Sequence, residues 1–507
     1  MKKPPTFPSG AEITRNKRCT SALRVRECGL YRVSGDYENN HKEVYTMKKT
    51  LSLLLALMLL LSCIPAVAES VENPYEEYGV EILIDPATGE PYDLGGMVIT
   101  VADWWSSDWH DNIGQAVTAA AEDTEEYRQW IEATYNFTIR DLAVTTWYDS
   151  PFDFNNMVLT GTEENYVWIL RPEVFLEPMN SGLFYDLATL DCLDFTEDKW
   201  NDAIRDMTTK GDSIYTMRPA PSELYRGLFF NKRLLREAGV DPDSLYDMQA
   251  NGTWTWAAFE ELLAKLHLDT DNDGLIDRYA MMNFSRRLIP AAVVSNNTSF
   301  VMADENGKLY NAAETDAFLE AVNWIMDLVA KYDQPAPEGA SWDYFETAFR
   351  NGECAMQVHD AYFAGNLVNS MEDEYGFVMF PKGPKADTYK WAPSESVMVI
   401  PSCYDAERAW KIAFAYNLYT NPTPGYEESD DWKNNYYSNF CDDRAVDETL
   451  ALMRDASTQF IEYNVMVTGY DLGPQYTDGV FGRYVTPAEA AEAMRGTWQA
   501  LIDEANQ

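Results

Sequence analysis

The sequence predicts an α/β protein built of two lobes, and two observations carry that expectation. A chain of 507 residues with 46% hydrophobic side chains holds far more apolar surface than one small core needs. Between residues 98 and 170, short apolar runs alternate with helical spacing, the pattern of a mostly parallel sheet covered by helices.

Taken in order, residues 69–95 are rich in Glu, Pro, Asp and Gly without periodicity and read as a flexible tether. Residues 98–102 form the first strand, entered from Gly95-Gly96. Helical spacing over 125–134 is followed by a strand over 136–144. Residues 152–159 read as a helix stopped by Gly161, and 167–170 as a buried strand. Residues 199–208 are amphipathic, and the Pro-containing stretch 218–221 suits a connection between lobes. A helix over 256–266 is capped by Thr255 and carries the apolar stripe Phe259, Leu262, Leu263 and Leu266. Further helices are expected over 317–331, 342–350, 406–419 and 487–505, the last opened by a Thr486 cap with Pro487 at its first position. No repeat at solenoid periods is visible.

The N-terminal region has a different composition. Met47 is followed by Lys48 and Lys49, then by an apolar run over 51–61 that is short for a bilayer span, then by Ala66-Val67-Ala68. These are the three parts of an export signal over 47–68. Met47 is then the expected natural start, and 1–46 an upstream in-frame translation, disordered, with no fold of its own. Cleavage after Ala68 competes with lipidation at Cys63, which follows Leu60-Leu61-Ser62. Either outcome places the protein outside the cytoplasm, in the periplasm or on the outer face of the membrane.

The formal net charge is −43. Beyond residue 68, 28 basic side chains face 77 acidic ones, a net of −49 spread along the chain. Nucleic acid is excluded as a partner, because phosphate binding needs clustered Lys and Arg. Cys192, Cys354, Cys403 and Cys441 are widely spaced, so neither a zinc site nor a redox motif is indicated. No serine-hydrolase, zinc-protease or phosphate-loop motif occurs, and after Met47 only His110, His267 and His359 remain, so an enzyme is not expected.

Aromatic residues make up 13% of the chain, including 15 Trp and 31 Tyr, and flat rings with polar edges suit sugars or peptides. The segment Asp103-Trp104-Trp105-Ser106-Ser107-Asp108-Trp109-His110 follows the first strand, where open α/β sheets bind ligands. Trp104, Trp105 and Trp109 are the first candidates. Arg171 ends the strand over 167–170, Tyr225 stands near the first crossing between lobes, and Trp391 near the second. Trp147 and Trp168 read as packing residues. Asp269, Asp271, Asp273, Gly274, the Leu275 carbonyl and Asp277 occupy positions 1, 3, 5, 6, 7 and 9 of an EF-hand-type calcium loop, but Ala280 stands where a bidentate Glu belongs. A structural Ca2+ remote from the ligand is the expectation, against a solvated turn without an ion.

Four segments carry a family resemblance: Leu228-Phe229-Phe230-Asn231-Lys232 running on to Ala238-Gly239 and Thr255-Trp256; Phe349-Arg350-Asn351-Gly352-Glu353-Cys354-Ala355-Met356; Tyr375-Gly376-Phe377 with Pro381-Lys382-Gly383; and Ala409-Trp410 with Thr420-Asn421-Pro422. In this order they resemble the extracellular solute-binding proteins of carbohydrate ABC importers, of the maltose-binding-protein type. Ala257 and Ala258 depart from the acidic residues usual after Thr-Trp. The resemblance implies a type II periplasmic-binding-protein fold: two α/β lobes joined by two or three crossings, closing on ligand in a hinged cleft. It implies one lobe from 96–220 with 398–465, and another from 221–397 with 466–507. It also implies a monomer that captures a mono- or oligosaccharide and delivers it to permease subunits. Tyr362 stands where the family places a ring-stacking aromatic, with Asp360 beside it. The same fold holding a peptide or another nutrient, and an extracellular glycan-active enzyme, are the alternatives.

Overall fold

The computed structural model describes residues 72–116, 118–426, 431–469 and 476–507; the export signal, Cys63, Ala68 and the upstream segment lie outside them. Eight strands build the two main sheets: Met97–Asp103 (β1), Phe137–Ala143 (β2), Asn165–Leu170 (β3), Arg226–Asn231 (β4), Tyr279–Met281 (β5), Cys354–Asp360 (β6), Tyr375–Val378 (β7) and Val397–Val399 (β8). Seven longer helices cover them: Ala119–Tyr135 (α1), Ser150–Thr160 (α2), Trp256–Leu266 (α3), Ser285–Ser295 (α4), Asp316–Tyr332 (α5), Ala406–Tyr419 (α6) and Pro487–Ala505 (α7).

The first sheet has the order β8-β3-β1-β2. β1 pairs in parallel with both β2 and β3, with Val101 opposite Asp141 on one side and Val167 on the other. Such strands are covered on both faces, which is why β1 is buried almost throughout rather than alternating. Helix α1 crosses from β1 to β2; Thr118 accepts a hydrogen bond from the Ala121 N–H at its start, and Asn136 ends it at φ 52°. Helix α2 crosses from β2 to β3 and stops at Gly161, where φ is 78°. β8 returns antiparallel to β3.

The second sheet has the order β7-β4-β6-β5. β4 is antiparallel to β7 and β6, and β5 is parallel to β6. Here the aromatic Phe-Phe pair of the first family-like segment requires glycine across the strand. Phe230 is the register partner of Gly376, and a β-carbon on Gly376 would collide with its ring. A β-carbon on Gly227 would likewise meet the Phe377 ring. Helix α3 is capped by Thr255 as expected, and α7 carries a complete capping box between Thr486 and Glu489.

The lobe boundaries differ from the expected ones. The resemblance implies 398–465 in the first lobe, but of that range only β8 and α6 with the turn between them pack there, with Ile412, Ala413 and Phe414 in its core. Phe440, Val446, Leu450 and Met453 pack in the core of the second lobe. Polar contacts hold them: the Tyr246 hydroxyl donates to Asp442 at 2.7 Å, Gln249 to Thr449 at 3.0 Å, and Thr449 to the Phe377 carbonyl at 2.8 Å. Amphipathic spacing shows that a helix is half-buried, not which core buries it. The chain therefore crosses between lobes at 220–224, at 392–396 and between Tyr419 and Trp432.

The expected tether is also not free from Asn73 onward. The Tyr75 ring meets Tyr127 and Trp130 edge-on at 5.1 and 5.2 Å. The Leu83 N–H donates to the Tyr135 hydroxyl at 2.9 Å, and Leu94 is 3% exposed. A few aromatic and aliphatic anchors bind this segment to the first lobe although its composition is loop-like. All four cysteines in the described residues are free thiols. Among those residues no helix is long and apolar enough to cross a membrane.

Candidate functional site

β1 and β3 are parallel, so their carboxyl ends open on the same edge of the first sheet. The chain leaving β1 is turned by Asp103, whose carboxylate accepts the N–H groups of Trp105 and Ser106 at 2.9 and 2.8 Å and the Ser106 hydroxyl. This turn presents Trp104 and Trp105. Trp104 packs edge-on against Trp105 at 4.8 Å and against Trp147 at 5.2 Å, with interplanar angles of 68° and 89°. The result is an aromatic corner whose outer rings are open: Trp105 is 59% exposed and Trp147 45%. Arg171, one residue past β3, lays its guanidinium on the Trp147 ring at 4.0 Å.

The second lobe offers a charged floor. The antiparallel register sets Asp360, at the end of β6, opposite Arg226 at the start of β4. Arg226 donates to one Asp360 oxygen at 3.0 Å and Arg287, on α4, to the other at 3.0 Å. Burial pushes the Asp360 carboxyl up, but the two guanidinium groups outweigh it and hold it below the ordinary carboxylate range. Arg287 also donates to the Tyr362 hydroxyl at 3.0 Å, which fixes a ring that is itself 53% exposed. Neighbouring His359 is buried, stacked on Phe363 at 4.0 Å and bonded to Glu346 at 2.9 Å.

Acidic groups of the two faces lie near one another. Arg171 reaches Glu173 at 3.9 Å. Glu173 acts electrostatically on Tyr225 and Glu462, which belong to the second lobe. Burial raises the Glu462 carboxyl, opposed by Arg226, and burial likewise raises the Tyr225 phenol. At the hinge, Arg218 lies 2.7 Å from Glu395 and 3.8 Å from Glu223, so one guanidinium joins the first and second crossings. The Arg218–Glu395 contact is an ion pair without good hydrogen-bond alignment.

Of the expected ligand residues, Trp104, Trp105, Arg171, Tyr225, Asp360 and Tyr362 all lie on these facing surfaces. Two do not. Trp109 spends its indole N–H on the Ile139 carbonyl at 2.9 Å and stacks on His110, so it packs against β2. Trp391 is 3% exposed and donates to the Met453 carbonyl at 3.0 Å, inside the second core. Sequence reasoning missed Trp147, Arg226, Arg287 and Glu462. No local motif marks them; only the β4–β6 register would have paired Arg226 with Asp360. A surface cavity of about 470 Å³ lined by Gln249, Lys382, Asp387, Tyr389 and Glu448 draws on the second lobe alone and shares no residue with the facing surfaces.

The acidic loop stands apart. Asp269, Asp271 and Asp273 each bring one carboxylate oxygen to within 4.8 Å of the others. Backbone N–H groups shape the turn: Gly274 donates to Asp269 at 2.8 Å, Asp273 to Asp271 at 3.1 Å and Leu275 to Asp273 at 2.8 Å. One oxygen of Asp277 is spent on the Thr270 hydroxyl and N–H. The second oxygen of Asp269 is shielded from solvent without a hydrogen-bond partner. This oxygen-only donor set fits a hard divalent cation.

Residues 182–414 match the family model of the bacterial extracellular solute-binding proteins. The fold is similar to that of UgpB from Mycobacterium tuberculosis, solved with glycerophosphocholine, at TM-score 0.58 and 16% identity over 81% of this chain and 99% of that one. It is similar to the cyclic alpha-maltosyl-1,6-maltose binding protein of Arthrobacter globiformis at TM-score 0.55 and 15% identity, over 81% of this chain and 100% of that one. The GacH receptor of Streptomyces glaucescens GLA.O, solved unliganded and with acarbose, gives 0.54 and 16% over 80% and 99%. A search of the curated proteins gives no match.

Proposed function

We propose that this protein captures a saccharide outside the cytoplasm by closing its lobes and delivers it to the permease of an ABC importer. The observation that carries this reading is the pairing of an open aromatic corner, Trp104, Trp105 and Trp147, with a charged hydrogen-bonding floor, Asp360, Arg287 and Tyr362, on the other lobe. Ring faces receive the C–H surface of a sugar, and the guanidinium and carboxylate edges receive its hydroxyls. The ligands named for two of the similar structures, acarbose and a cyclic maltosyl-maltose, support the carbohydrate class. A thermal-shift screen of the purified protein against mono-, di- and oligosaccharides tests it. A ligand that binds only the folded state raises the melting temperature, by about 2.7 kcal/mol of added stability at a hundredfold excess over Kd. A saccharide shift without product formation supports capture, whereas a shift from peptides alone refutes the carbohydrate class.

The loop Asp269–Asp277 holds a structural Ca2+ in this reading, through Asp269, Asp271, Asp273, the Leu275 carbonyl and Asp277. A bound cation would offset the repulsion among carboxylates crowded in one turn. Calorimetric titration of Ca2+ into chelator-treated protein tests this, and Asp271→Asn is expected to abolish the heat. Export proceeds through residues 47–68, with cleavage after Ala68. The mass of the exported chain separates a start at Glu69 from a lipidated Cys63.

A further inference from the structure

The charges that line the cleft do not all cancel. Asp360 is shared by Arg226 and Arg287, and Arg218 is met by Glu395 and Glu223. Two guanidinium groups are left. Arg171 lies on the Trp147 ring with its Nε shielded and unpartnered; its one acid, Glu173, is 55% exposed and at 3.9 Å is beyond hydrogen-bond reach. Arg454 lies on the Trp432 ring at 4.5 Å, and among the described residues no carboxylate or hydrogen-bond acceptor meets its side chain. It acts electrostatically on Tyr436, which in turn feels Glu223 and Arg218, so it stands beside the hinge on the second lobe. Burial pushes both guanidinium groups below their ordinary range, the direction expected of cations short of counter-charge.

Each lobe thus carries an arginine laid on a tryptophan ring, and no acceptor among the described residues comes within hydrogen-bond distance of its guanidinium. This occurs in a chain whose net charge is −43, where a cation finds acids easily. Shielding the Arg171 Nε from water without a partner costs stability, and stacking on an aromatic ring orients the planar fork of each arginine. Arg171 is compensated only by the distant Glu173, and Arg454 by no acid among the described residues, so each place has room for a monoanion, and a planar fork fits a planar carboxylate. We propose that the saccharide taken by this cleft is acidic, a chain of carboxylate-bearing, uronate-type sugars, and that Arg171 and Arg454 receive its carboxylates. The proposal rests on the carbohydrate reading of the cleft and narrows it.

The test is calorimetric titration of the purified protein with oligogalacturonates of two to four sugars, with their methyl esters, with neutral oligosaccharides of the same length, and with phosphorylated or sulfated sugars. The acid form is expected to bind at least about tenfold tighter than its ester, as the loss of one charge-assisted contact implies. Its affinity should fall as salt rises. Arg171→Gln and Arg454→Gln should each erase most of the difference between acid and ester while the unliganded protein melts cooperatively. The acid–ester comparison on the unmutated protein is decisive without either variant. Equal binding of acid and ester, or binding of neutral sugars only, overturns the proposal and leaves the carbohydrate reading intact. Binding of phosphorylated or sulfated sugars without uronates overturns the carboxylate assignment. Silence of every saccharide overturns both readings.

Discussion

At the scale of single residues, the molecule separates charges that hold it together from charges that face solvent. Asp360 is 2% exposed between two guanidinium groups, so removing its charge strands two cations. Asp360→Asn is expected to cost about 3–5 kcal/mol, the range for breaking a buried pair from one side, and urea unfolding would register it. The pH dependence has a definite sign. The Asp360 carboxyl is held below its ordinary range, so its contribution is present above the unfolded-state value and is lost as pH falls through the lower folded value. His110 runs the other way. Burial lowers its pKa, but hydrogen bonds with Glu132 at 3.0 Å and Asp108 at 2.6 Å outweigh that and raise it above 6.5. Its stabilisation is therefore complete below pH 6.5 and is lost as pH rises through the raised value. Melting temperatures measured between about pH 6 and pH 9 should fall more steeply for the natural protein than for His110→Gln; identical slopes would remove His110 from this role.

Elements were legible to different degrees, for a physical reason. Helices α3, α6 and α7 appear at the boundaries expected from their caps and apolar stripes, because capping and amphipathic spacing are local. β1 and β3 are each longer than their apolar runs suggest, since pairing with neighbours extends a strand beyond its hydrophobic residues. The glycines of the second sheet carry a constraint that only pairing reveals. Gly376→Ala would force the Phe230 ring off β7, at a cost of about 1–3 kcal/mol for an overpacked core. A denaturant midpoint unchanged by that substitution would show that the ring relaxes freely. Trp109 and Trp391 show the limit of reading tryptophans from sequence. An indole on a loop beside a cleft and one buried beneath it have the same local pattern. The difference lies in the Ile139 and Met453 carbonyls that take their N–H groups.

For the whole molecule, the decisive feature is that the aromatic corner and the charged floor belong to different lobes joined by three crossings. A ligand touching both must draw them together, so the radius of gyration measured by small-angle scattering is expected to shrink when a saccharide saturates the protein. An unchanged radius in the presence of bound ligand would mean that one lobe alone does the binding. Arg218, which joins two of the crossings through Glu395 and Glu223, lies where such a motion turns.

By itself, the sequence determined the α/β class, most helices, the two-lobed plan and the acidic loop. All of these rest on short-range patterns: caps, apolar periodicity, the carboxyl ends of strands and ordered family-like segments. Tertiary structure alone decided that 431–469 returns to the second lobe and that residues 73–95 are bound to the first. It also decided which arginines find an acid. Arg226 and Arg287 lie 134 and 73 residues from Asp360 along the chain, and Arg454 meets none among the described residues. Local sequence sets the conformation of a segment, but burial and charge compensation are settled only when distant segments share one space.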